Sequence, residues 1–263
     1  MQAFYLSMKS FLRQCLLPVF LLLLSECIFS QAPLKSWNVS GEFGYVYMNS
    51  RDEYFSDLEA SGSGIAAALE VQNRLGKARV GIDFHYRSAD MKIRAYKNFA
   101  VQSAGFSGSL FSLWDIKGIG GKFLSYSVGP FLNFFHSNRD APGLINYNSS
   151  FESAFSLGIA NEFLLRFGDK GNCTLNERLN FSLASFYRRP DFGNSRAAGS
   201  LSGSWEAATL NRFRLLQNEL SLLRRWKQHS VGLGYDWNYY TINNDIGVMN
   251  ANHCVRLIYS ISL

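Results

Sequence analysis

Charge is scarce in this chain. Lys, Arg, Asp and Glu make up 17% of its 263 residues, against about 25% in ordinary soluble domains. That low charge, with abundant aromatics, excludes a disordered chain. There are only 5 prolines, and 4 cysteines are too few for a disulfide scaffold. No Gly-X-Y period exists, so a collagen is excluded. After residue 30 no apolar run approaches the roughly 20 residues that a spanning helix needs. What remains is a chain with 22 Phe, 13 Tyr, 5 Trp and 22 Gly. Aromatics favour strands, so the composition points to a β-rich protein and raises lipid as its outer solvent.

The first thirty residues read as an address. Lys9 and Arg13 form a basic head, and Cys15 to Leu24 is a short apolar core ending in four leucines. Ser30 supplies a small residue for cleavage, so residues 1–30 are expected to be a secretory signal peptide and residues 31–263 the mature domain. A lipid anchor would fall on Cys27, but Glu26 before it fits that processing poorly. Cys15 and Cys27 leave with the signal, and Cys173 and Cys254 are expected as free thiols at opposite ends of the molecule. Removing Lys9, Arg13 and Glu26 lowers the formal charge from +6 to about +5.

The dominant pattern in the rest is period two. In residues 151–167, Phe151, Ser153, Phe155, Leu157, Ile159, Asn161, Phe163, Leu165 and Phe167 share one face. Glu152, Ala154, Ser156, Gly158, Ala160, Glu162, Leu164 and Arg166 share the other. The same alternation marks 37–48, 63–75, 78–88, 122–136, 173–188, 230–240 and 254–263. Two segments read two ways. In 107–117 either Leu110, Trp114 and Ile116 or Phe111 and Leu113 form the apolar face. In 208–225 the phase changes near Leu215–Leu216, as a β-bulge would cause; an amphipathic helix is the competing reading.

These are ten strands. Short connections fall near Gly76-Lys77, Gly118–Gly121, Gly168–Asn172 and Trp226–His229. Longer ones span about 49–62, 89–106, 137–149, 189–207 and 241–252. Strict alternation of short and long connections predicts an all-β fold: an antiparallel up-and-down transmembrane barrel of ten strands. In hydrocarbon every backbone polar group must pair internally, so a sheet spans only by closing. Aromatics fall at both expected interfaces: Tyr45, Tyr47, Tyr86, Phe134, Phe151, Tyr187 and Tyr239 at the outer ends, Trp37, Phe167 and Trp226 at the inner ends. A soluble β-protein is the rival reading, since it too favours aromatics in strands.

On these features, residues 37–263 resemble a small bacterial outer-membrane β-barrel protein. The resemblance implies localisation to the bacterial outer membrane, with outer-membrane lipid and the barrel-insertion machinery as partners. Such proteins often end on an aromatic residue, whereas the last strand here, Val255–Leu263, ends on Leu263.

Alternation assigns the faces. Glu42, Glu70, Asp83, Glu152, Glu162, Glu219 and Asp236 are expected to point inward. So are Arg74, Arg87, Arg166, Arg178, Arg188, Arg212, Arg214 and Arg256. Ten strands leave a narrow interior, and buried charges must pair. The expected function is therefore a structural barrel or a narrow porin-like channel with a largely plugged lumen. Basic residues toward the outer half would favour anions if the lumen is open.

Two other function classes stay in play. Asp83-Phe84-His85 sets a carboxylate and an imidazole on one inward face, the pairing of an outer-membrane hydrolase. Ten-stranded omptin-type proteases use Asp and His groups near the outer rim, and the similarity here is the strand number and one Asp-x-His. His136-Ser137-Asn138 invites comparison with outer-membrane lipid hydrolases whose signature is His-x-Ser, but here His and Ser are adjacent and face opposite ways. The third class is an adhesin or receptor binding an unknown surface ligand through long loops. Those loops are expected to carry Arg51, Lys92, Arg94, Lys97, Arg139, Arg189 and Arg196, with Asp52, Glu53, Asp57 and Glu59 in the first. Scattered charge on an exported chain argues against a nucleic-acid partner. No cofactor motif and no metal-ligand spacing is found.

Overall fold

The computed structural model describes residues 35–53, 56–93, 96–116, 123–142, 149–168, 172–189, 203–243 and 247–263. The expected signal peptide lies outside them. The strands are β1 (Lys35–Asp52), β2 (Ser56–Leu75), β3 (Ala78–Ile93), β4 (Tyr96–Asp115), β5 (Leu124–Asp140) and β6 (Ser149–Phe167). They continue with β7 (Cys173–Arg188), β8 (Trp205–Thr209), β9 (Phe213–Trp226), β10 (His229–Ile242) and β11 (Val248–Ser262). Successive strands pair antiparallel from β1 to β8 and from β9 to β11, β7 pairs with β9, and β1 pairs with β11, so the sheet closes. β8 and β9 both lie against β7 and form one strand interrupted at Leu210–Arg212. The fold is the expected closed antiparallel barrel of ten strands.

The register fixes the tilt. Following paired residues from Phe43 through Ala67, Tyr86, Phe106 and His136 leads to Ser153 on β6. The other way round, through Leu257, Leu233, Leu222 and Leu175, leads to Leu165 on the same strand. A twelve-residue stagger over ten strands inclines them by about 40°. Apart from β8 the strands run 14 to 20 residues, so the wall is about 35–50 Å tall. Crossing a bilayer takes only about 9–11 residues per strand.

The lower part of the wall carries the expected belt. Trp37, Phe43, Tyr45, Ile65, Leu69, Phe84, Phe106, Phe163, Leu222, Leu233, Val255 and Leu257 face outward and are exposed. Above it the pattern inverts. On β3 the outward residues become Ser88, Asp90 and Lys92 while Ala89, Met91 and Ile93 are buried inside. β1 turns Asn49 and Arg51 outward and Met48 inward; β4 turns Gln102 outward and Val101 inward.

That inversion corrects the connection lengths. The long loops expected at about 49–62 and 89–106 are strand for most of their length: β1 runs to Asp52 and β2 from Ser56, and β3 runs to Ile93 and β4 from Tyr96. Alternation there does not mark a lipid-facing strand, because the apolar side is the inner one.

Two further faces are corrected. In β7 the pairing steps from Leu157↔Ala184 to Gly158↔Ser182. Leu183 is an extra residue, and a bulge reverses the side-chain phase beyond it. Tyr187 therefore turns inward and is buried, and Arg188 leaves the lumen, its guanidinium lying 5.3 Å from the Phe151 ring centre on the outer wall. Phe151 faces outward but is nearly covered. The break before β9 has the same consequence: Arg212 lies exposed in the turn and Arg214 faces outward, its Nε donating to the Leu210 carbonyl. The bulge expected at Leu215–Leu216 is this break, a few residues earlier. In β4 both readings hold at once: Leu110 and Trp114 face outward, and Phe111 and Leu113 are buried inside. Cys173 and Cys254 are free thiols, one at the lower rim and one within the upper inner cluster.

Candidate functional site

The lumen is filled in tiers. At the lower mouth a vestibule of about 180 Å³ is lined by Arg74, Lys77, Arg79, Arg166, Asp115 and Ser127. Arg74 pairs with Asp115 at 2.6 Å, and Asp115 accepts from Ser127 at 2.8 Å. The vestibule reaches Arg79, which is ion-paired with the fully buried Glu162. Arg166 is exposed on this rim.

An aromatic step lies above. Phe111, Leu113, Phe131 and Ala160 form a buried cluster. Glycine makes the room: a Cβ on Gly81 would meet Phe111 Cζ at 2.3 Å, and one on Gly158 would meet Phe131 Cε1 at 2.3 Å. The Arg178 guanidinium sits 4.5 Å from the Phe111 ring centre, a cation–π contact.

Arg178 opens the central network. It contacts Glu219 at 2.6 Å, Glu70 at 3.3 Å and Asp83 at 3.5 Å. His85 Nε2 lies 3.3 Å from Asp83 and 3.8 Å from Glu219. Arg256 pairs with Glu42 and Asp236, and its Nη1 lies 3.5 Å from His85 Nδ1. Arg87 reaches Asp236 at 3.8 Å. Nine of the expected inward residues thus meet in one network: Glu42, Glu70, Asp83, His85, Arg87, Arg178, Glu219, Asp236 and Arg256. Five are carboxylates and three are arginines, so the centre is acid-rich. Of the arginines expected in a basic outer half, Arg188, Arg212 and Arg214 leave the lumen, while Arg87 and Arg256 are paired with carboxylates in this network.

Above the network is a polar pocket of about 40 Å³, lined by Asn133, Gln217, Asn238, Asn250 and Asn252. Two apolar clusters close over it. One contains Val46, Met48, Ala89, Met91, Ile93 and Val101; the other contains Phe135, Tyr187, Phe213, Leu215, Tyr240 and Ile242.

The top tier was not foreseen. Arg139 is fully buried and donates to Asp52 at 2.9 Å, Glu152 at 2.6 Å and the Tyr240 hydroxyl at 2.6 Å. Arg189 and Ser150 also bond Asp52, each at 2.8 Å. Burial opposes the charge on Arg139, but the Glu152 and Asp52 carboxylates outweigh it and hold its pKa above the ordinary value. Burial and then the Glu206 carboxylate, which accepts from Tyr187 at 2.8 Å, push the Tyr187 phenol above its usual range. Asp52, Arg139 and Arg189 were expected in loops. The signal that places Asp52 and Arg139 inside is present: each continues the inward phase of its strand, Asp52 from Met48 and Ser50, Arg139 from Asn133 and Phe135. Arg94 and Arg196 lie outside the described residues, as does the side chain of Lys97.

No protein-family model matches this sequence, and no curated protein matches it. Solved structures do. The outer membrane protease OmpT of Escherichia coli is similar over 88% of this chain and 98% of its own, with a TM-score of 0.57 and 8% identity. The translocator domain of the autotransporter NalP from Neisseria meningitidis covers 99% and 96%, with a TM-score of 0.44 and 9% identity. Neisserial surface protein A covers 86% and 96%, with a TM-score of 0.35 and 9% identity. The fold is that of a bacterial outer-membrane β-barrel. At 8% identity the likeness to OmpT extends to architecture alone. Within this outer-membrane barrel Asp83 and His85 lie inside the central network, 2% and 8% exposed. Their hydrogen-bonding capacity is turned toward Arg178, Arg256 and Glu219 rather than toward solvent.

Proposed function

We infer that this chain is a closed, non-conducting barrel of the bacterial outer membrane, exported by the signal peptide at residues 1–30. The observation that carries the reading is the filled lumen. An aromatic step, an ion-pair network, two apolar clusters and the Arg139 cluster succeed one another along the axis. The buried charges of the network and of the Arg139 cluster face opposite charges on other strands, which ties the wall together across its interior. Such an interior is built for rigidity, and function then belongs to the outer wall and the outer rim. The exposed apolar belt supports outer-membrane lipid as its solvent, and a closed antiparallel barrel of this kind would be delivered by the barrel-insertion machinery. The hydrolase reading through Asp83 and His85 loses support, because a substrate has no path to groups so enclosed.

The test is single-channel recording in a planar bilayer, with insertion verified by resistance of the barrel to protease. The expected result is silence from inserted protein. Stepwise openings whose ion selectivity changes in Arg178→Ala and Glu219→Ala would overturn the closed-lumen reading and restore the narrow channel.

A further inference from the structure

The chain has four histidines. His85 faces the lumen; the other three face outward at the two edges of the belt. Two of those three pair with phenols: His229 Nδ1 with Tyr259 at 2.8 Å, and His253 Nδ1 with Tyr235 at 2.7 Å. His136 is different. Its Nδ1 lies 2.8 Å from the Oγ of Ser153, which is 8% exposed but on the outer side of the wall rather than in the filled lumen. An aliphatic hydroxyl bonded to an imidazole is the pairing that activates a nucleophile, whereas a phenol so bonded is an ordinary interface contact.

The surroundings extend the arrangement. Phe106 pairs with His136, His136 with Ser153, Ser153 with Arg188, and Arg188 with Trp205. Directly paired residues share a face, with Cβ atoms about 4.5–5.5 Å apart. The row therefore reads Phe–His–Ser–Arg–Trp across the outer wall. Because the strands tilt, it climbs from the belt at Phe106 toward the polar wall at Arg188. Asn138 and Asp140 follow His136 upward on β5, so the pair lies where the apolar surface ends. The His136 ring packs 5.5 Å from Phe106 and 6.2 Å from Phe151, which hold it in place. Arg188 is anchored twice: its Nε donates to the Gly203 carbonyl at 2.9 Å, and its guanidinium stacks on Phe151. The bulge at Leu183 is what puts this cation on the outer wall instead of in the lumen.

We propose that Ser153, His136 and Arg188 form a catalytic site on the outer wall that hydrolyses acyl esters of phosphate-bearing lipids in the facing leaflet. Ser153 Oγ attacks the ester carbonyl and gives its proton to His136 Nδ1. The carbon–oxygen bond to the lipid alcohol breaks, and the imidazolium returns the proton to that alcohol as it leaves. Water then attacks the acyl-serine with His136 as base, releasing the fatty acid and restoring the serine. The Arg188 guanidinium recognises the lipid phosphate and offsets the negative charge that develops on the carbonyl oxygen. Aromatic side chains on either side, Phe106 and Trp205, suit the acyl chains that must lie along the wall.

The experiment uses the full barrel refolded in detergent, with folding followed by its heat-dependent mobility on a gel. A fluorophosphonate probe should modify Ser153, mapped by mass spectrometry. A micellar phospholipid should release fatty acid at a rate that falls at least 100-fold in Ser153→Ala and in His136→Gln. Arg188→Gln should raise KM for the phospholipid more than for a neutral acylglycerol. A folded wild type that is not modified at Ser153 and releases no fatty acid from micelles or vesicles would overturn the proposal. So would hydrolysis that persists in folded Ser153→Ala. Probe mapping on the unaltered protein decides the matter if the variants fail to fold. A silent bilayer recording leaves this site untouched, since it does not use the lumen.

Discussion

Among the described residues Arg139 is the largest side chain that is fully enclosed, and its partners come from β1, β6 and β10. A single guanidinium thus joins well-separated parts of the wall above the belt. Removing one partner of a buried ion pair leaves the other charged and unsolvated, which costs about 3–5 kcal/mol. Arg139→Met should therefore lower the urea midpoint of refolded barrel markedly, because Glu152 loses its principal cation and Asp52 is left with Arg189. Adding Asp52→Asn and Glu152→Gln to the same chain should recover much of the loss, since neutral groups cost less to bury than unpaired carboxylates. Equal midpoints for the single and triple variants would show that the cluster is not held by its charge. The central network repeats the arrangement: Glu219 has both Arg178 and His85 beside it, as Asp52 has both Arg139 and Arg189.

At the scale of the element, what the sequence discloses depends on which solvent lies on which side. The belt portions of the strands were legible because large apolar residues alternate with small or charged ones, and lipid rewards that pattern on one face. The upper portions were not, because the same alternation there serves an inner core against outer water, and short runs such as Ser61–Gly64 carry little contrast. Nine members of the central network could be placed by counting in twos, since no bulge or break separates them from the belt portion of their strands. Arg188 and Arg214 could not, since one extra residue at Leu183 and a break at Leu210–Arg212 shift everything beyond them, and neither leaves a turn signature. The Ser153–His136 pair was out of reach for another reason: it depends on the register of β5 against β6. Sequence adjacency offered His136 only Ser137, which faces the other way.

The bulge makes a direct prediction. In a background lacking Cys173 and Cys254, Arg188→Cys and Phe186→Cys should react with a maleimide presented outside the barrel, while Tyr187→Cys and Ser185→Cys should be protected. The opposite pattern would place Tyr187 outside, as unbroken alternation requires, and would remove Arg188 from the proposed site.

The whole molecule is a barrel in two solvents. Its lower wall is apolar outside with charge in the lumen, and its upper wall is polar outside around an apolar core. Strands of 14 to 20 residues, against the about 9–11 that span hydrocarbon, mean that nearly half of the wall stands clear of the membrane. That upper half has to fold as a water-soluble barrel does, by burying side chains inward, which is why Met91, Ile93, Val101, Phe135 and Ile242 point into the lumen. The plug is thus the price of height: a tall barrel in water must fill its own interior. Spin labels placed singly along the outer face of β3 should report the change of solvent. A label at Phe84 should relax strongly with dissolved oxygen, which partitions into lipid. One at Asp90 or Lys92 should relax with a water-soluble nickel chelate instead, and one at Met91 should be shielded from both. If Asp90 responded to oxygen as Phe84 does, the membrane would cover the full wall. The inward apolar clusters would then lose their physical cause, since lipid outside would no longer require a dry core within.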